Sequence, residues 1–201
     1  MAEIHRTTMT PTKLELLSGW LPKQPWYAGN GGTPELRNAG GFRLDDPSGA
    51  VGIEFMVATD ESGGQVISYH VPLSYRGAPL AGRDDAFIGT SEHGVLGRRW
   101  VYDGVHDPVL VAQLAALLAR RAEPQAQSVS DTPDPTVTVH SVAVEQPAPI
   151  SPDIETVSGG GIRVVRVLRP DGSGPGGTCL TAGWTLPDGS AARGCVAYQV
   201  R

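Results

Sequence analysis

Residues 51–75 constrain this chain most. Val51, Ile53, Phe55 and Val57 alternate with Gly52, Glu54, Met56 and Ala58. After Asp60-Glu61-Ser62-Gly63-Gly64, alternation resumes at Ile67, Tyr69, Val71, Leu73 and Tyr75. Side chains on a strand point to opposite faces in turn, so a period of two over this length reads as strand, not helix. Two such runs joined by a Gly-containing turn predict an antiparallel hairpin. With a strand near residues 35–44, ahead of the turn Asp45-Asp46-Pro47-Ser48-Gly49, they predict a three-stranded meander.

Helices are the smaller part. Thr10 as cap, Pro11 as first helical residue, and Leu14, Leu17 and Leu21 at helical spacing predict a short helix that Pro22 limits. Shorter strands are expected over 86–90 and 98–103. Asp107-Pro108 then predicts a second helix through Arg121, with Leu110, Leu114, Leu117 and Leu118 on its apolar face. Arg120 and Arg121 suit the partial negative charge at its end. Burying each leucine supplies about 1.5–3 kcal/mol before entropy, so the helix is expected to lie across one face of the sheet. The expected fold class is α+β, an antiparallel sheet packed by helices over residues 1–122.

Gly and Pro contribute 26 and 17 of the 201 residues, well above the usual combined share of about 12%. Turns and linkers therefore take a large part of the chain. Residues 123–136, polar with three prolines, predict a linker. Residues 137–201 predict a β-rich extension, with strands over 136–145 and 162–168, a loop over 146–161, and a hairpin pairing 178–186 with 192–200. In that hairpin Cys179 falls opposite Tyr198 and Cys195 opposite Ala182, which predicts thiols on opposite faces and no bond between them. Two cysteines make no disulfide scaffold, in keeping with a reducing cytoplasm.

Net charge is −5 and the pI is about 5.5. Of 16 basic residues all but Lys13 and Lys23 are Arg, and they are dispersed. Arg98-Arg99, Arg120-Arg121 and the series Arg163, Arg166, Arg169 read as solvated faces or helix ends, so nucleic acid is not an expected partner. Met1 to Lys13 holds no leader-like apolar core, and no apolar run reaches membrane length. The expected location is cytoplasmic, with no membrane partner.

The segments Trp20–Gly29 (WLPKQPWYAG), Val71–Leu80 (VPLSYRGAPL) and Ala86–Val111 (AFIGTSEHGVLGRRWVYDGVHDPVLV) carry a recurring order of aromatic, Pro and Gly positions. Together with the following helix they resemble the N-terminal cap of actinobacterial maltokinases, across most of residues 10–121. The resemblance implies a cystatin-like cap, a helix packed on a curved antiparallel sheet. It also implies a connection to glycan or trehalose–maltose metabolism, with a kinase, a glycan-metabolism enzyme or a glucan as partner. Pro25 and Asn30 stand where such segments commonly carry a basic residue and a Lys. The extension shows no such resemblance.

Maltokinases transfer phosphate through a His-x-Asp loop whose Asn, five residues after the Asp, holds magnesium. Asn30 and Asn38 are the only asparagines, His5 is the only histidine before them, and the spacing fails. Lys13 and Lys23 sit in no phosphate loop. A complete kinase is therefore not expected in these residues, and no catalytic residue, cofactor or metal is predicted. The run Gly172-Ser173-Gly174-Pro175-Gly176-Gly177 fits G-x-G-x-x-G formally, but Pro175 and the strand expected after it predict a loop. Glu92-His93 and His106-Asp107 could supply acid–base groups, against the plainer readings of a turn and a helix cap.

The candidate binding residues are Trp20, Trp26, Tyr27 and Arg76. Trp100 and Tyr102 are further aromatics able to stack on a sugar ring, and core packing is the competing use of each. Trp26 and Tyr27, in a Pro/Gly segment, are the ones expected to be exposed. The sequence thus predicts a noncatalytic accessory or regulatory protein. The alternatives are a carbohydrate- or nucleotide-binding module, or an enzyme using Glu92, His93 or His106.

Overall fold

In the computed structural model, residues 8–129, 131–142, 151–157, 161–170, 172, 174 and 177–200 are described. Chain order begins with β1 (Met9–Thr10) and α1 (Lys13–Trp20), then β2 (Leu36–Leu44), β3 (Val51–Asp60) and β4 (Ile67–Arg76). It continues with β5 (Phe87–His93), β6 (Gly97–Asp103), α2 (Pro108–Leu118) and β7 (Gln125–Ala126). The remainder holds β8 (Thr138–Val142), β9 (Ile154–Thr156), β10 (Ile162–Val165), β11 (Val167–Leu168), β12 (Gly177–Thr185) and β13 (Ala191–Gln199). One antiparallel sheet has the order β1-β5-β6-β4-β3-β2-β7, with β11 also beside β4, and a second has the order β8-β12-β13-β10-β9. The fold is mostly antiparallel sheet with few helices.

The predicted hairpin is present, but its two strands bury opposite faces. Phe55 pairs with Pro72 and Met56 with Val71, and directly opposed residues share a face. Ile53, Phe55 and Val57 therefore join the core under α2, while Tyr69, Val71 and Leu73 join Met56 beneath α1. Two out-of-phase apolar sets leave neither face of this hairpin to water. Pro72 is tolerated in a central strand because it falls in the gap where β11 has ended and β6 has not begun.

The first helix is capped two residues later than expected. Thr12, not Thr10, is its cap, in a capping box with Glu15. Thr10 instead pairs with Glu92 in β1. The second helix begins as expected, with Asp107 Oδ1 accepting from the Val109 amide at 2.9 Å. It ends at Leu118, so Arg120 and Arg121 lie beyond it, and Arg120 takes a positive φ of 57°. Leu110, Leu114, Leu117 and Leu118 are all buried.

The face that α2 was expected to cover is shared with the extension. Phe42, Leu44 and Phe55 lie in one core with Leu110 and Leu114, and with Val164, Leu180, Trp184 and Val196 from the second sheet. Between the two parts, Gln125 and Ala126 pair with β2, and Gln127 Nε2 donates to Glu54 Oε1 at 2.6 Å. In β2, Gly41 has φ 132°, and a Cβ there would meet the Phe55 carbonyl oxygen. That backbone is open only to glycine.

Cys179 does lie opposite Tyr198, but a bulge after Leu180 brings Cys195 opposite Thr181 instead of Ala182. The extra residue reverses the facing of everything beyond it. The thiols therefore point the same way, 2.8 Å apart and buried. The loop expected over 146–161 holds β9, while 143–150 and 158–160 lie outside the described residues, as does part of the Gly172–Gly177 motif. A strand, β12, follows that motif. Among the described residues no helix is long and apolar enough to cross a membrane.

Candidate functional site

Between β10 and β11 the chain leaves the second sheet and joins the first, and Arg166 is the residue at that crossing. Ile162, Val164, Arg166 and Leu168 follow each other at strand spacing, and all four are buried. Arg166 is fully shut from solvent. Its Nη2 donates to Asp103 Oδ2 at 2.6 Å and to Glu155 Oε2 at 2.6 Å, and its Nε donates to the same Glu155 oxygen at 2.9 Å. The guanidinium carbon sits 4.9 Å from the Trp26 ring, a cation–π contact strengthened by the dry surroundings.

Asp103 ends β6, His106 follows on a short 3-10 turn, and Glu155 comes from β9. His106 Nε2 lies 3.4 Å from Glu155 Oε1. Burial pushes the Asp103 carboxyl above the ordinary aspartate range, and the Arg166 charge only partly offsets this. Burial alone would lower Arg166, but the charges of Asp103 and Glu155 outweigh it and raise it further. Beside this group His70 is fully buried, with Nδ1 donating to the Val165 carbonyl at 3.0 Å. Burial holds its imidazole neutral, with a pKa lowered to about 3.

The four candidate binding residues separate. Trp20 and Trp26 are buried and meet edge to face with ring centroids 5.7 Å apart. Tyr27 is half-buried and stacks on Tyr69 at 5.6 Å. Trp26 was expected to be exposed, but the two prolines turn the segment back so that the ring packs on Tyr69 and Arg166. Arg76 stands apart. Its Nε and Nη2 form a bidentate pair with Asp107 at 2.6 and 2.7 Å, so it secures the start of α2. Of the other aromatics, Tyr102 is buried and Trp100 is half-exposed.

Sequence reading missed Arg166, which had been grouped with Arg163 and Arg169 as a solvated face. Arg163 and Arg169 are surface residues, the latter 80% exposed at its side chain. A spacing of three in a strand puts neighbours on alternate faces. The available signal was the place of Arg166 in the inward series Ile162, Val164, Leu168. Glu92 pairs with exposed Arg98 at 2.7 Å, and His93 Nδ1 accepts from the amides of the β5–β6 turn. Neither is drawn into the buried group.

Most of the group's parts, Trp26, Asp103 and His106, come from one stretch of chain that opens at Trp20 and closes at the Arg76–Asp107 pair. Residues 20–107 match the maltokinase N-terminal cap domain family. The match takes in β2 to β6 and the buried Trp20, Trp26 and Tyr69, and it stops at the residue that caps α2. It spans somewhat less than half of the chain. No curated protein matches the chain. Within the cap-matching region Val95 and Leu96, 61% and 47% exposed, form an adjacent pair of exposed apolar residues on the β5–β6 turn.

Proposed function

We propose that this chain is an accessory or regulatory protein related to maltokinase, which acts by protein contact and performs no phosphoryl transfer of its own. The observation that supports this most is the cap match over residues 20–107. A domain that caps a maltokinase must contact the rest of that enzyme, and a chain with the same kind of domain is suited to the same kind of contact. The cystatin-like arrangement belongs to this reading: α1 packs across the β3–β4–β6 surface through Leu17, Trp20 and Leu21. Val95 and Leu96, exposed at the tip of the β5–β6 hairpin, are the contact residues this reading favours. A sugar-stacking module has less support, because Trp20, Trp26 and Trp184 are buried.

Sedimentation of the purified chain with a purified maltokinase tests the reading. A complex that Val95→Asp with Leu96→Asp weakens is the expected result. Independent sedimentation at concentrations tens of times those in a cell would count against it. Both substituted positions are exposed, so the fold is expected to persist.

A further inference from the structure

We propose that Asp103, His106 and Glu155 form a binding site for a divalent first-row transition metal, for which Zn2+ is the reference ion. One donor atom from each lies within 4.8 Å of the others. Glu155 Oε1 and His106 Nε2 are 3.4 Å apart. Donors around a tetrahedral ion with bonds of about 2.0–2.1 Å stand about 3.3 Å from one another. That pair already has a coordinating separation. Glu155 and His106 are both part-exposed and can close the remaining distance to Asp103.

Arg166 occupies one oxygen of each carboxylate, Asp103 Oδ2 and Glu155 Oε2. The second oxygens are left. Asp103 Oδ1 is buried and has no hydrogen-bond partner, a condition that costs about 1–3 kcal/mol unless something satisfies it. Two carboxylates and one guanidinium sum to a single negative charge, so the group attracts a cation even with Arg166 in place. Arg166 then serves to orient the carboxylates from behind, as hydrogen-bonding partners of metal ligands do.

The donor set selects the ion. An imidazole with two carboxylates suits Zn2+, Mn2+, Fe2+ or Co2+ better than Ca2+, which takes oxygens, or Cu+, which takes sulfur. Access differs across the group: the side chains of His106 and Glu155 are 32% and 26% exposed, that of Asp103 only 4%. An ion can enter from the His106 side, and water completes its coordination. Because Asp103 and His106 lie in the cap-matching region and Glu155 in β9, the ion would also tie the extension to the cap. The site stands or falls separately from contact with a kinase.

The test uses the full chain after chelator treatment. Calorimetric titration with ZnCl2 is expected to show one saturable equivalent and a raised Tm. Co2+ is expected to give visible d–d absorption without the near-ultraviolet charge-transfer band that thiolate ligation by Cys179 or Cys195 would produce. His106→Ala is expected to weaken Zn2+ binding at least about tenfold and to abolish the Tm increase, with an unchanged far-ultraviolet spectrum. His106→Gln, which keeps the side chain's bulk, is expected to behave the same way and guards against a folding defect. No saturable uptake, equal affinity in wild type and both variants, or a thiolate band would each overturn the site and leave a plain His106–Glu155 contact.

Discussion

Arg166 Nη2 lies 2.6 Å from Asp103 Oδ2, inside the protein, and joins a strand crossover in the extension to the end of β6 in the cap-matching region. The pair is expected to hold the two parts together as one cooperative unit. Removing one partner of a buried ion pair leaves the other charge uncompensated, which costs about 3–5 kcal/mol. Arg166→Met should therefore lower stability by about that amount in urea unfolding. Asp103→Asn together with Arg166→Met should recover a good part of it, since no lone buried charge remains at β6. Additive losses in that double-mutant cycle would show that the two residues do not act as a pair.

Acid is expected to act first through His70. Its folded pKa, about 3, lies below its ordinary value of 6.5, so the folded state favours the neutral ring. The resulting stability is fully present above about pH 6.5 and falls by about 1.4 kcal/mol per unit as pH drops toward 3. Glu54 and Asp107 have the same sign but act lower. Burial would raise both, yet Lys13 beside Glu54 and Arg76 bonded to Asp107 hold them below the ordinary 4.5 and 3.8. Asp103, raised by burial, has the opposite sign and gains stability as acid protonates it. Between pH 6.5 and 4.5 the unfolding free energy should thus fall by about 2 kcal/mol. His70→Asn, which keeps a donor for the Val165 carbonyl, should flatten that slope. An equal slope in the variant would place the titration elsewhere.

Asp107 both caps α2 and pairs with Arg76. Asp107→Asn keeps an acceptor for the Val109 amide but loses the charge, whereas Asp107→Ala loses both. The alanine variant should be less stable than the asparagine one by about 1 kcal/mol, the usual worth of a cap. Equal stabilities in thermal unfolding would remove the capping role.

The two thiols should be silent in the folded protein. Cys179 and Cys195 are 0% and 7% exposed, so a thiol reagent should find neither under native conditions and both in concentrated urea. Rapid native labelling of either would contradict the packing of the bulged hairpin.

Legibility in the sequence followed the range of the interaction. The alternation in 51–57 and 67–75 and the Asp107-Pro108 helix start are local signals, and they led to β3, β4 and α2 nearly residue for residue. Which face each strand buries was not local. It depends on the Phe55–Pro72 register, which a turn of ambiguous length does not dictate. The thiols illustrate the same limit, because one extra residue after Leu180 reversed their facing. Thr12 displaced Thr10 as helix cap because β1 drew Thr10 into pairing with Glu92. At the buried group, Asp103 and His106 stood in a recognisable segment, but Glu155 and Arg166 arrive from about 50 to 60 residues further on. Glu155, 11 residues before Arg166, and Asp103, 63 before it, become its countercharges only through the fold.

Steady-state phosphorylation of maltose, with ATP, by a purified maltokinase in the presence of increasing amounts of this chain tests the functional account most directly. The account expects a saturable change in kcat or KM, lost with Val95→Asp and Leu96→Asp, and no phosphorylation by the chain alone. Turnover of maltose and ATP by the chain alone, or an enzyme rate unmoved at large excess, would contradict it.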